Sequence, residues 1–251
     1  PCKIAPALAS GWAQESNMPF FKSQGQLIYY AHVPKCGGTG VENYIKARFG
    51  SVAFLDRRYF QKGDVEAWSR TSPQHIKAGD LGQLIPLNFF DQIFTVVRHP
   101  MDRMVSMYHF NIEVGGHLDA SVSFGEWLAR IEDSWNKEDM FYLDNHPRPM
   151  SDFVPLGAKV FYLESGLMAV QAFLDQYAAQ GQDQPLREIP MGNQRKTRTK
   201  EGQDLGDKIV PTRHDIRRLT RMYEEDFERF GYDPEITGVS PTYLTPEGEL
   251  L

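Results

Sequence analysis

The sequence predicts an α/β protein whose mostly parallel sheet is covered by helices. Three observations carry this reading. Two short apolar runs, residues 27–32 and 92–97, have the composition of strands buried on both faces. Each is followed by a turn with Gly or Pro and then by apolar residues at helical spacing. A third strand-then-helix pair is expected at residues 159–163 and 167–179. Strands that alternate with helices pair in parallel, because each crossover returns the chain to the same end of the sheet.

Taken in order, residues 1–24 read as an irregular arm punctuated by Pro6, Gly11 and Pro19, with Gly25 just beyond. The first strand stops at Val33-Pro34, and Val41, Tyr44, Ile45 and Phe49 mark the helix after it. Short helices are expected at 64–70 and 78–84, on either side of Pro73-Gln74-His75-Ile76. The helix after the second strand shows Met101, Met104, Val105 and Tyr108 on one face, with Asp102, Arg103, Ser106 and His109 off it. Residues 124–131 read as another helix. Residues 180–209 are polar and form a long loop or lid. Residues 212–230 read as one helix, with Ile216, Leu219, Tyr223, Phe227 and Phe230 as its core stripe and Gly231 as its stop. The last residues, 233–251, read as a tail. All 251 residues are expected to form a single domain.

Composition narrows the function. A net charge of −6 argues against a nucleic-acid polymer as partner. No apolar run is long enough to span a membrane, and neither CxxC nor HExxH spacing is present, so no metal is expected. The two cysteines, the lack of an Asn-x-Ser/Thr sequon and the absence of a basic start with an apolar core set the expectation of a cytoplasmic protein. A lumenal catalytic domain trimmed of its anchor is the alternative.

Two segments carry chemistry. Lys35-Cys36-Gly37-Gly38-Thr39-Gly40 lies between a strand and a helix. Glycines there let backbone N–H groups approach an anion, and the helix start adds unpaired donors and a positive dipole end. Lys35 adds a point charge and Thr39 a hydroxyl. This is not a Walker A loop, because lysine precedes the glycines. A glycine-rich turn with an incidental lysine is the plain alternative. Arg98 ends the second strand and Ser106 follows eight residues later. Together they suit one phosphate, by a forked charged pair and a hydroxyl, if the loop folds back beside the helix. A salt-bridged strand-end arginine with a solvated serine is the alternative.

Together the two segments resemble the PAPS-dependent sulfotransferases. Residues 32–39 are similar to their 5′-phosphosulfate loop, and residues 97–108 to their 3′-phosphate motif. The likeness is greatest to the branch that includes heparan sulfate 2-O-sulfotransferase and many bacterial relatives. Softer similarity is seen at Ser72-Pro73-Gln74-His75, at 144–164 and at 223–232. Cys36 departs from the threonine or serine common in that loop. The resemblance implies a P-loop-like three-layer fold with a central mostly parallel sheet flanked by helices. It also implies that 3′-phosphoadenosine-5′-phosphosulfate (PAPS) is the co-substrate and adenosine 3′,5′-bisphosphate the product. The acceptor would be a small-molecule or carbohydrate hydroxyl.

On this reading Lys35 stabilises the leaving group, helped by the amides of Cys36 and Gly37–Gly40 and by Thr39, and Arg98 and Ser106 hold the other phosphate. Lys196, Arg198 and Lys200 would fold over the donor or grip an anionic acceptor, with Arg148 as a weaker candidate. Of the seven histidines, His75 is the candidate general base, with His32 and Glu42 as alternatives. His99 reads as structural, and His109, His117, His146 and His214 have no strong case. Tyr29, Tyr30, Trp68 and Trp127 are candidates for ring stacking, with core packing as the default. A nucleotide-dependent phosphotransferase and a non-catalytic nucleotide- or glycan-binding module are the rival functions. A kinase needs a Mg²⁺-binding carboxylate, and the second strand ends in Arg98 instead.

Overall fold

The computed structural model describes residues 18–50, 52–54, 71–137, 143–179, 188–189 and 208–237. The expected helix at 64–70, Trp68, Lys196, Arg198, Lys200, residues 1–17, most of 180–209 and the tail from 238 lie outside them.

Among the described residues, five strands form one sheet in the order β3-β1-β2-β4-β5. Strands β2 (Gln26–Ala31), β4 (Gln92–Val97) and β5 (Lys159–Tyr162) run parallel, as the strand–helix alternation requires. Strand β1 (Met18–Ser23) pairs antiparallel with β2, and the two-residue β3 (Ala53–Phe54) pairs antiparallel with β1. Strand β1 corrects the expectation of an irregular arm up to residue 24. Gln24 (φ 48°) and Gly25 (φ 84°) are both left-handed, which is the two-residue turn that matches the twist of a hairpin. Pro19 sits where the β1–β3 register shifts, so its missing N–H interrupts no regular ladder.

The central strands are mostly apolar because both faces are covered. Ile28, Tyr30 and Phe94 join the main core, with Val41, Tyr44 and Ile45 of helix α1 (Gly38–Phe49) and Val170, Phe173 and Leu174 of a later helix, Met168–Asp175. Tyr29 and Ala31 point the other way and pack with Phe90 and with Leu81 of α2 (Ala78–Leu84). Tyr29, Tyr30 and Trp127 are therefore core residues. Truncating a ring such as Phe94 to alanine costs about 3–5 kcal/mol.

Helix α3 (Pro100–Glu113) follows β4, and α4 (Phe124–Asn136) adds Trp127, Leu128 and Ile131 to the core. Helix α5 is Met168–Asp175. The helix expected at 212–230 is two: α6 (Arg213–Met222) and α7 (Glu224–Phe230). They part at Tyr223, whose backbone leaves the helical region (φ −118°, ψ 28°) and whose buried hydroxyl donates to the Pro147 carbonyl at 2.5 Å. No helix among the described residues is long and apolar enough to cross a membrane.

Candidate active site

The site grows from the carboxyl ends of parallel strands β2 and β4, where open α/β sheets place their ligands. Strand β2 leads through His32-Val33-Pro34 into Lys35, which holds a left-handed backbone (φ 69°) although it is not glycine. Such a conformation costs about 1–3 kcal/mol and persists where the surrounding structure enforces it, often at ligand clamps. Gly37 (φ 83°) caps α1 without any side-chain hydrogen bond, so the first amides of the helix have no side-chain cap. The N–H groups of Gly40 and Val41 turn back to the Gly37 carbonyl at 3.0 and 3.4 Å. Those of Gly38 and Thr39 come before any helical acceptor and are the donors an anion would meet. Gly38 is needed for a second reason: a β-carbon there would overlap the His32 ring.

Around this cradle the expected residues are distributed as follows. The Lys35 ammonium rests 3.7 Å from the centre of the Phe110 ring on α3. Thr39 is exposed. The Cys36 side chain is fully buried, with Sγ 3.7 Å from the Pro34 carbonyl and 4.0 Å from Met150 Sδ. Burial pushes its thiol up to about 12, against the pull of Arg103 and Arg98. Arg98 is half-buried and donates from Nη1 to the Lys35 carbonyl at 3.4 Å, so the two motifs touch. Ser106 is half-buried within α3.

His75 ends a short 3-10 turn, Pro73–His75, and its Nδ1 lies 2.6 Å from Asp144 Oδ2. Ser72 donates to the same carboxylate through its N–H (2.5 Å) and its hydroxyl (2.6 Å). Burial alone would raise the Asp144 carboxyl, but the His75 imidazole and the Ser72 donors outweigh it and hold the group below its usual value. An ionised Asp144 fixes the proton of His75 on Nδ1 and leaves Nε2 as the basic nitrogen. The turn that carries Asp144 is itself unusual: Leu143, Asp144 and Asn145 are all left-handed, at φ 49°, 57° and 61°. Asn145 secures it by donating to the His75 carbonyl at 2.9 Å.

Several residues differ from expectation. Glu42, one of the alternative bases, is buried and its Oε1 stands 2.6 Å from the other alternative, His32 Nδ1. His146 was given no case, yet its ring stands edge-on to His75 with centres 4.7 Å apart. Burial, with His75, Lys35 and His32 nearby, pushes its pKa well down and keeps it neutral. His75 also meets His32 edge-on at 5.1 Å, so three histidines gather beside the cradle. Arg103 and His109 were placed off the apolar face of α3, but both are buried. Arg103 donates from Nε to the Pro34 carbonyl (3.1 Å) and from Nη2 to those of His146 (2.7 Å) and Arg148 (2.6 Å). One guanidinium thus ties the phosphate-type loop to the turn that orients His75. Arg148 is spent inside the fold, on Asn145 and Asp152, and not on an external anion. His99 is structural, as expected: its Nδ1 accepts from the Met101 N–H, and Nε2 lies 2.8 Å from the Asp233 carbonyl.

A glycine-rich helix start at the ends of parallel strands, with an arginine from the neighbouring strand and an oriented histidine beside it, gives this α/β protein a candidate anion site. The Sulfotransferase family profile matches residues 18–233, which takes in every residue of this site. The chain belongs to the sulfotransferase family, and it is a transferase of sulfuryl groups. No curated protein and no solved structure gives a significant match.

Proposed function

We propose that the chain transfers a sulfuryl group from PAPS to the hydroxyl of a glycan or small molecule and releases adenosine 3′,5′-bisphosphate. The observation that carries this is the contact between the Arg98 guanidinium and the Lys35 loop, with the oriented His75 beside them. The residues suit the donor: an uncapped helix start and Lys35 for the 5′ end, and Arg98 with Ser106 for the 3′-phosphate. The donor supplies a sulfuryl group on a phosphate leaving group.

In an in-line displacement the acceptor oxygen forms a bond to sulfur as the bond from sulfur to the 5′-phosphate oxygen breaks. His75 Nε2 takes the acceptor proton, and Asp144 steadies the imidazolium that results. Lys35 and the amides of Gly38 and Thr39 neutralise the charge gathering on the phosphate, the positioning logic of phosphoryl transfer. Lys196, Arg198 and Lys200 are assigned to the donor or to an anionic acceptor.

Titration with adenosine 3′,5′-bisphosphate tests the donor half. At a hundredfold excess over Kd it should stabilise the protein by about 2.7 kcal/mol, raising Tm by several degrees. A folded sample whose Tm ignores millimolar bisphosphate would end the proposal. In transfer assays with labelled donor and a panel of acceptors, Lys35→Ala should lower turnover about 10²–10³-fold. Arg98→Ala should instead act mainly on donor affinity.

A further inference from the structure

We propose that His75, Asp144 and His146 form a site for one divalent transition cation of the zinc class, and that filling it withdraws His75 from proton transfer. The second half rests on the function proposed above; the site itself does not.

One ligating atom from each of the three side chains lies within 4.8 Å of the others, and among the described residues no second His, Cys, Asp or Glu group comes this close. With bonds of about 2.1 Å, ligands of a tetrahedral ion stand about 3.4 Å apart. Rotation of the half-buried His146 ring would supply the closure. Two imidazoles and one carboxylate suit zinc, cobalt or copper, and not magnesium or calcium, which want oxygen alone.

The surroundings of such a centre are already built. A histidine that ligates through one nitrogen commonly donates its other N–H to a carboxylate, and His75 Nδ1 stands 2.6 Å from Asp144. Asp144 is in turn held by the Ser72 N–H and hydroxyl, and the His75 carbonyl by Asn145. The pairing leaves two ways to bind. In one, Asp144 stays behind His75 while Nε2 and His146 ligate. In the other, the carboxylate turns onto the ion.

Charge bears on both. Asp144 and Glu42 attract a dication, and the Lys35 ammonium and Arg103 guanidinium oppose it. Arg103 is committed to three carbonyls and Lys35 rests on Phe110. A site of two or three protein ligands facing two cations holds its ion reversibly, as suits an inhibitor and not a resident metal.

Calorimetric titration of the whole chain with Zn²⁺, and with Co²⁺ while its visible absorption is recorded, tests the site without any appeal to sulfate transfer. The wild type should take one equivalent, and His146→Ala should lose at least about tenfold in affinity. His117→Ala, on an exposed histidine away from the cluster, should bind as the wild type does. Equal affinity in wild type, His146→Ala and Asp144→Asn would overturn the site. If His146→Ala does not fold, His146→Gln carries the same expectation. Zinc should then inhibit sulfate transfer over the concentrations at which it binds. Binding without any transfer activity in zinc-free protein would sink the function and leave the site. Transfer that continues with the site filled would sink the inhibition.

Discussion

Two histidine–carboxylate pairs stand side by side in this protein, and their contacts are equally short: 2.6 Å for His32–Glu42 and 2.6 Å for His75–Asp144. They differ in what the second ring nitrogen meets. His32 lies at the end of β2, and its Nε2 is plugged against Gly38 at the start of α1. Its pair is a brace that fixes where the helix begins. His75 is held from behind by a remote turn, and its other side faces the half-buried His146. The same pair chemistry therefore serves two roles, and what lies beyond the ring decides which. A base must reach a substrate proton, and that role is proposed for the pair whose ring faces the half-buried His146.

Replacing each histidine in turn tests this division most severely. His75→Ala should cut kcat by about 10²–10⁴-fold while leaving the affinity for adenosine 3′,5′-bisphosphate within a factor of a few. His32→Ala should do the reverse, weakening bisphosphate binding while the residual bound donor still turns over. Calorimetry with single-turnover kinetics separates the two. Full turnover in His75→Ala at unchanged donor affinity would remove His75 from the mechanism and return the role to His32 or Glu42.

A smaller perturbation presses on the brace alone. Gly38→Ala drives a methyl group into the His32 ring, and overpacking of this kind costs about 1–3 kcal/mol. Thermal unfolding should report that loss, together with weaker bisphosphate binding as the helix start shifts. Gly79→Ala, where a β-carbon meets nothing within 4 Å, should show neither effect. A Gly38→Ala protein as stable and as tightly binding as wild type would mean that the cradle is less fixed than its contacts suggest.

The glycine-rich cradle was legible in the sequence, and the two histidine–carboxylate pairs beside it were not. Strands β2 and β4 announce themselves because both faces are buried, which leaves continuous apolar runs, and the cradle follows β2 without a break. His75 is singled out by the family resemblance and not by spacing. Its partner Asp144 lies 69 residues away, and His146 farther still, and no local pattern encodes such a contact. Their segment, 144–149, drew notice as familiar, but Asp144 acts through three left-handed residues of which none is glycine, so the usual turn signal is missing. Arg103 was misplaced for a related reason. A charged residue off an apolar stripe reads as solvated, yet here backbone carbonyls from two separate loops pay its desolvation in full view of neither the helix nor its period. Strand β1 was lost to Pro19 and Gly25, which mark a register shift and a hairpin turn and not a loop.

The carboxylates extend the contrast to acid stability, where the expected effects are mildest. Asp144 titrates below its usual value in the folded protein, so its contribution is complete above the unfolded pKa near 3.8 and is lost as pH falls through the lower folded value. Asp226 is the opposite case. It is fully buried beneath the Met150 and Ser151 N–H groups, and burial, opposed by Arg103, raises it to about 6. The folded state therefore holds this proton more tightly than the unfolded chain, and stability is lost as pH rises from about 4 through 6. Asp144→Asn should flatten the fall in stability below pH 4 and leave the pH 4–6 range unchanged. Asp226→Asn should remove the decline between pH 4 and 6 and leave the acid limb alone. Denaturant unfolding across pH 3–7 reads both slopes. If Asp144→Asn altered neither slope, its carboxylate would not be held by His75 and Ser72 as described, and the orientation of His75 would need another source.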